Sequence, residues 1–299
     1  MAKTSLKVAA AQIACRPGDL RANLDAHLAM IERAEIADVE LLVFPELSLT
    51  DYLADPDCDA LGMARDDPML SLLAQSACGM AVSVGFIERG SDGLFYNAQA
   101  LLTAGKVLAV HRKLNLPGYG LLREDHVYAR GNALETAALP CGWRVDTLIC
   151  ADAWNPALPW LAALSGIDLL LVPAASALGA VGDGFDNPRG WEINLAHSAM
   201  TYGVPVVFAN HCGERGGVEF WGGSRILDAF GRELVRAGAT PGLVAADLSF
   251  ADGEAARRRL PTMRDSDPEL IGRLLAERLD GGRGMFPGRS ASVPDTLPV

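Results

Sequence analysis

Three reactive side chains stand at the ends of short apolar runs in this sequence. Glu46 follows Leu41-Leu42-Val43-Phe44-Pro45, Lys113 follows Val107-Leu108-Ala109-Val110-His111-Arg112, and Cys150 closes Val145-Asp146-Thr147-Leu148-Ile149. Runs of this length and composition read as β-strands, and α/β proteins place their chemistry at strand exits. A carboxylate, an ammonium and a thiol are therefore expected to meet along one edge of a sheet. A thiol becomes a strong nucleophile only as its thiolate, which requires a nearby base or positive charge. Glu46 suits the first role and Lys113 the second. When a thiolate attacks a carbonyl or nitrile carbon, negative charge develops on the oxygen or nitrogen. Lys113 and a backbone N–H after Cys150 are placed to stabilise it. Glu46, once protonated, then holds the proton that the leaving group needs. Composition alone argues less, because most cysteines fill cores and most Glu and Lys side chains are simply solvated.

The elements that must position these groups alternate along the chain. Residues 6–13 read as a strand, and Asp19 caps a helix in which Leu20, Leu24, Leu28 and Ile31 recur at helical spacing. Strands follow at 41–44 and 80–87, with a helix over 68–78 between them, and 95–102 and 106–112 alternate like a hairpin about Ala104-Gly105. The stretch 114–131 reads as loop, longer than a connection requires, and such loops inside compact domains are usually functional. Beyond it come a strand at 143–150, a helix at 156–165, an apolar strand at 169–172, a helix at 189–202 and a strand at 204–209. Antiparallel segments near 219–228, 232–236 and 243–248 form a meander. This is an α/β domain with a mixed sheet over residues 1–255. Residues 256–299, with a helix at 268–279, form a C-terminal extension, read either as a solvated appendage or as an arm packing on a second subunit.

The local strings resemble a known family. Phe44-Pro45-Glu46-Leu47-Ser48-Leu49-Thr50-Asp51-Tyr52, Arg112-Lys113-Leu114-Asn115-Leu116-Pro117 and Leu148-Ile149-Cys150-Ala151-Asp152-Ala153-Trp154 are similar to the three signature blocks of the nitrilase superfamily, the carbon–nitrogen hydrolases, and occur in the same order. Tyr119 to Gly131 resembles the loop carrying that family's second glutamate, and Gly222 to Gly231 its Gly-Gly-Ser hairpin. The resemblance implies a four-layer α-β-β-α sandwich, commonly paired into dimers. It implies that Glu46 is general base and acid, Lys113 the oxyanion stabiliser and Cys150 the nucleophile. Glu124, which strand-exit reasoning does not find, is implied as the residue holding Lys113 and the substrate or attacking water in place. The Cys-x-Asp-x-Trp block and the Tyr119-Gly120 loop look most like amide-hydrolysing branches. Many members carry a large or acidic residue after the cysteine, where this chain has Ala151. Tyr52, Tyr119, Trp154 and Ala151 are expected to line the pocket, with Phe185 and Trp191 as further candidates and Asn155 or Asn187 to receive a polar tail.

Composition narrows the partners. A net charge of −11 and a pI near 4.9 argue against nucleic acid and anionic membrane. The N-terminus lacks a signal peptide's apolar stretch, and no run approaches the ~20 residues that span a bilayer, so a cytoplasmic protein is expected. The six cysteines, at 15, 58, 78, 141, 150 and 212, form no C-x-x-C pair, and the five histidines show no metal-ligand spacing. Neither a metal nor a nucleotide cofactor is implied. The expectation is a cofactor-free hydrolase of a small amide, working through a cysteine thioester as a homodimer or higher homo-oligomer. Hydrolysis of N-carbamoyl compounds, nitrile hydrolysis and a catalytically inactive binding protein are the alternatives.

Overall fold

A computed structural model describes residues 3–182 and 184–280. In chain order the strands are β1 (Ser5–Gln12), β2 (Leu41–Val43), β3 (Ala81–Arg89), β4 (Phe95–Thr103), β5 (Lys106–Arg112), β6 (Ala137–Ala138), β7 (Arg144–Thr147), β8 (Leu169–Ala174), β9 (Val206–Asn210), β10 (Cys212–Arg215), β11 (Val218–Trp221), β12 (Arg225–Leu227), β13 (Glu233–Arg236) and β14 (Gly242–Ser249). The helices are α1 (Leu20–Ile36), α2 (Cys58–Leu61), α3 (Pro68–Ser76), α4 (Glu124–Val127), α5 (Ala157–Leu164), α6 (Asn187–Tyr202), α7 (Phe250–Arg259) and α8 (Pro268–Asp280). The chain divides into two compact units after Pro261. The second contributes α8, which carries Leu270, Ile271, Leu274, Leu275 and Leu279 at helical spacing, all exposed. The part of the expected C-terminal extension beyond residue 280 lies outside the described residues.

Two six-stranded mixed sheets carry the first unit, ordered β14-β1-β2-β3-β4-β5 and β6-β7-β8-β9-β12-β13. Read in those directions, both run antiparallel, parallel, parallel, antiparallel, antiparallel. Strand alternation builds the layers, since successive side chains point to opposite faces. In β1, Ala9 and Ala11 face a core shared with α1 and α3, while Leu6, Val8 and Ala10 face the other sheet. In β8, Leu169 and Leu171 join that intersheet core, and Leu170, Val172 and Ala174 face α5 and α6. These strands have no solvent face, which is why they read as unbroken apolar runs. The result is the four-layer α-β-β-α sandwich.

Three sequence expectations change. The late segments are not one meander. β12 and β13 follow β9, β10 and β11 form a separate hairpin, and β14 crosses to the first sheet to pair with β1 over its full length. Both faces of β14 are partly apolar, Leu243 and Ala245 toward the helices and Val244 and Ala246 toward the other sheet, so it covers an otherwise bare edge. The long loop contains one helical turn, α4. Glu46 and Lys113 leave the same sheet, but Cys150 leaves the other, so the three exits meet between two sheets rather than along one edge.

Because both faces of β8 are buried, Leu170→Ala and Leu171→Ala should each cost about 2–5 kcal/mol in denaturant unfolding. A strand with one wet face would show the loss at only one of the two positions.

Candidate active site

Glu46 lies just past β2, where Pro45 ends the strand and the chain turns sharply at Leu47, φ +50°. The turn sits on Gly85 of β3, where a Cβ would run into the backbone of Pro45, Glu46 and Leu47. The Glu46 carbonyl accepts a hydrogen bond from His211 Nε2 at 2.6 Å. That donation leaves His211 Nδ1 as an acceptor facing Arg215, and burial depresses the His211 pKa, so the ring is neutral. Ser48 accepts from the Gly85 N–H at 3.1 Å and fixes the other side of the turn.

Lys113 follows β5, its N–H bonded to the Asn97 carbonyl on β4 at 2.8 Å and its carbonyl to the Gly131 N–H at 2.9 Å. Its ammonium is fully buried and donates to Glu46 Oε1 at 2.5 Å and to Glu124 Oε1 at 2.7 Å. Glu124 opens α4, and its carboxyl also accepts from the Tyr52 hydroxyl at 2.8 Å and from Asn97 Nδ2 at 3.2 Å. Asn97 Nδ2 reaches Glu46 Oε1 at 2.7 Å as well. The remaining Glu46 oxygen accepts from the Ala175 N–H, just past β8, at 2.8 Å.

Cys150 begins a 3₁₀ turn, Cys150–Trp154, with φ +45°. This left-handed conformation costs a non-glycine residue on the order of 1–3 kcal/mol. Asp152 holds it there. Its N–H bonds the Ile149 carbonyl at 2.9 Å, and one carboxylate oxygen accepts from the Ile149 N–H at 3.1 Å and from His111 Nε2 at 3.0 Å. The other oxygen accepts from the Leu114 and Asn115 N–H groups at 3.0 and 2.7 Å. One buried carboxylate thus ties the turn carrying the thiol to the segment leaving Lys113.

Burial dominates the electrostatics. It opposes the charge on Lys113, but the Glu124 and Glu46 carboxylates outweigh it and hold the ammonium pKa well above its ordinary value. Burial raises Glu124 to about 7, against the pull of Lys113. Burial also pushes Cys150 well above the ordinary thiol range, with Glu46 adding to the rise and Lys113 countering it. At rest the sulfur is therefore a thiol, and its proton must move when it attacks.

A cavity of about 50 Å³ opens beside Cys150, lined by Tyr52, Tyr119, Glu124, Ala151, Trp154 and Asn187 among others. Trp191 also lines it, and Phe185 packs edge-on against Trp154 from outside, ring centroids 5.9 Å apart. Asn155 does not reach the cavity lining. Its side chain accepts from the Ala157 N–H at the start of α5 and meets Asn115. Sequence reasoning did not single out Asn97, His211 or the role of Asp152. Asn97 and Gln99 are two polar residues at i, i+2 in an otherwise apolar strand, a signal that one face of β4 meets polar groups.

Among the described residues, one group has donor atoms close enough to invite a metal ion: Cys15, Asp51 and His211, all buried. Arg215 already occupies the cationic position, donating to both Asp51 oxygens at 2.5 and 2.7 Å, and the Cys15 thiol donates to the Ser48 carbonyl. The cluster fits a brace beneath the Glu46 turn better than a metal site.

A family model described as carbon-nitrogen hydrolase matches residues 7–258. A glutamine-dependent NAD(+) synthetase of Thermotoga maritima is 33% identical over 235 residues, 77% of this chain, which spans only 39% of that relative's length. A deaminated glutathione amidase of Rattus norvegicus is 29% identical, covering 90% of this chain and 84% of its own. A variant of the Nesterenkonia sp. AN1 amidase, solved with the acetamide moiety of fluoroacetamide covalently added at its active-site cysteine, superposes with a TM-score of 0.77 at 28% identity, over 91% of this chain and 98% of that one.

Two outcomes follow from the geometry. Asp152→Asn keeps one acceptor oxygen and sets an amide N–H against the donors at the other, the Ile149 N–H if the oxygen stays with Leu114 and Asn115. It should lower the Cys150 alkylation rate and kcat together by about 10–100-fold with KM little changed. A purely structural role for Asp152 would lower the melting temperature without that kcat-against-KM split. Because the Cys150 pKa is raised, its alkylation rate in the free protein should keep climbing with pH beyond about 9. A plateau already reached below about pH 7 would show a preformed thiolate instead.

Proposed function

This chain belongs to the carbon–nitrogen hydrolase family, and on that premise we propose that it hydrolyses a small amide through a thioester on Cys150. The observation that carries this reading is the buried Lys113 ammonium clamped between the Glu46 and Glu124 carboxyls beside the cavity that Cys150 lines. Similarity to proteins named as amidases supports the reaction class. The adduct on the Nesterenkonia amidase cysteine supports the assignment of the nucleophile.

The amide carbonyl oxygen sits toward Lys113 Nζ and a backbone N–H after Cys150. As sulfur bonds the carbonyl carbon, the thiol proton passes to Glu46, and the oxygen's charge is met by an ammonium in a site too dry to screen it. Glu46 then gives that proton to the departing nitrogen, and ammonia or an amine leaves a thioester. A water attacks the thioester carbon, Glu46 takes its proton, and the C–S bond breaks to release the acid and restore the thiol. The net reaction consumes one amide and one water. Glu124 keeps Lys113 on axis and, with Tyr52, forms the wall past which the water enters.

Ammonia release from a panel of primary amides, N-carbamoyl amino acids and nitriles should be found with amides. Cys150→Ala should lose at least about a thousandfold of it while keeping the fold. Glu46→Gln should stall both half-reactions, leaving any acyl-enzyme visible as added mass on the Cys150 peptide. Carbon dioxide release or nitrile turnover would point to the other branches, and residual amidase activity in Cys150→Ala would overturn the nucleophile assignment.

A further inference from the structure

The reaction cavity has a charge as well as a shape. Among the described residues, no arginine, lysine or histidine lines it, and the ammonium behind it, Lys113, is shared by two carboxyls. The arginines on the flanking elements line no part of it and have partners elsewhere. Arg215 borders the adjoining apolar cavity of about 320 Å³ beyond Tyr52 and Leu122. There its Nε and Nη2 are held by both oxygens of Asp51, and Nη1 donates to the Cys212 carbonyl at 2.8 Å. Arg123 donates to the Gly120 and Leu122 carbonyls of its own loop, and Arg189 pairs with Glu192 at 3.0 Å.

Ala151, Ala175, Ala177, Ala180 and Val181 make one side of the wall small and apolar, closed by Trp154, and its uncharged polar groups are Tyr52, Tyr119, Ser176 and Asn187. Three of these already have partners: the Tyr52 hydroxyl donates to Glu124, Asn187 Nδ2 to the Ala177 carbonyl, and the Ser176 hydroxyl accepts from Trp191 and Trp221. Ala151 leaves open the space beside the thiol that a larger residue would fill. A substrate carboxylate placed here would lose its hydration, find no cation, and face Glu124 at close range. Desolvating an unpaired charge is strongly unfavourable, and Glu124 adds repulsion to the extent that it is ionised. An uncharged acyl chain meets none of these penalties and buries apolar surface against the alanines and Trp154.

We propose that the substrate is an uncharged amide with a short apolar acyl group, and that the cavity rejects amides bearing a carboxylate close to the scissile bond. This rests on the hydrolase reading above and adds its selectivity, which comes from omitting a cation rather than from a dedicated contact.

Two matched pairs test it. Butyramide and succinamate have the same chain length and differ by one terminal carboxylate. Butyramide should have a kcat/KM at least about 100-fold higher. Leu122→Arg, which adds a cation to the wall, should shrink that ratio at least about tenfold. Iodoacetamide and iodoacetate differ in the same way and need no turnover. Relative to N-acetylcysteinamide free in solution, Cys150 should favour the neutral reagent by at least about 30-fold, read by mass. Succinamate turned over as well as butyramide would overturn the selectivity and leave the hydrolase standing. No turnover of either amide or of any primary amide in the panel above, with the alkylation preference intact, would overturn the amidase reading and leave the charge selection standing. An alkylation ratio equal to that of the free thiol would remove the charge selection whatever the turnover, and a Leu122→Arg protein that does not fold leaves both wild-type comparisons decisive.

Discussion

A buried ammonium shared by two carboxyls is the constraint to which the rest of the site answers. An isolated Lys113 at full burial would be far too costly to keep charged, and removing one partner from such a group typically costs about 3–5 kcal/mol. The fold therefore commits two strands and a loop to it: β5 delivers the lysine, β2 delivers Glu46, and α4 delivers Glu124. Asn97, from β4 between them in the sheet, hydrogen-bonds both carboxyls and keeps them from collapsing onto one oxygen pair. The arrangement is stable only if all four groups are present, and the same four groups make the site basic, acidic and cationic within a few ångströms.

A second layer of restraint lies under the first. Glu46 is fixed through its backbone, by His211 at its carbonyl and by the close approach of Gly85 beneath the turn. Cys150 is fixed through Asp152, whose carboxylate gathers backbone N–H groups from two segments 34 residues apart in the chain, Asn115 and Ile149 marking their near ends. Neither set of contacts touches a substrate. Both decide where the reacting atoms stand, and a shift of about 1 Å in such positions can cost a hundredfold in rate.

Much of this was legible in the sequence, and the remainder was not for definite reasons. Apolar runs ending in Glu46 and Cys150 announced strand exits because strands buried on both faces need continuous hydrophobic residues, and the run before Lys113 did so through the hairpin alternation of β4 and β5, although β5 is a half-exposed edge strand. Periodicity says nothing about which sheet a strand joins, so Cys150 was expected beside the other two when it comes from the opposite sheet. β14 was expected among the late antiparallel strands and instead closes the first sheet, a pairing with β1 across more than 200 residues that local pattern cannot encode. Glu124 was visible only through family resemblance, because a carboxylate in a long polar loop carries no local mark of burial. Ala151, Tyr52, Tyr119 and Trp154 do line the cavity beside the thiol, whereas Asn155 serves a helix end.

The two sheets repeat one pairing pattern, yet their contributions to the site differ. The first sheet supplies Glu46 and Lys113, the groups that handle protons and charge; the second supplies Cys150 and, from the exit of β8, the Ala175 N–H that meets Glu46. β8 occupies in its sheet the place that β2 occupies in the other, so equivalent strand ends face each other across the intersheet core. That core is made of interlocking apolar side chains such as Val8, Val43, Leu169, Leu171 and Trp143, packed closely enough to transmit strain from one sheet to the other. A substitution there that shifts one sheet against the other would change the reach from sulfur to base, and would strain the bonds that join the sheets at the site, from Asp152 to Leu114 and Asn115 and from Glu46 to Ala175. Residues buried far from the substrate, at the interface of the two halves, therefore act as the gauge that sets how closely nucleophile and base are spaced.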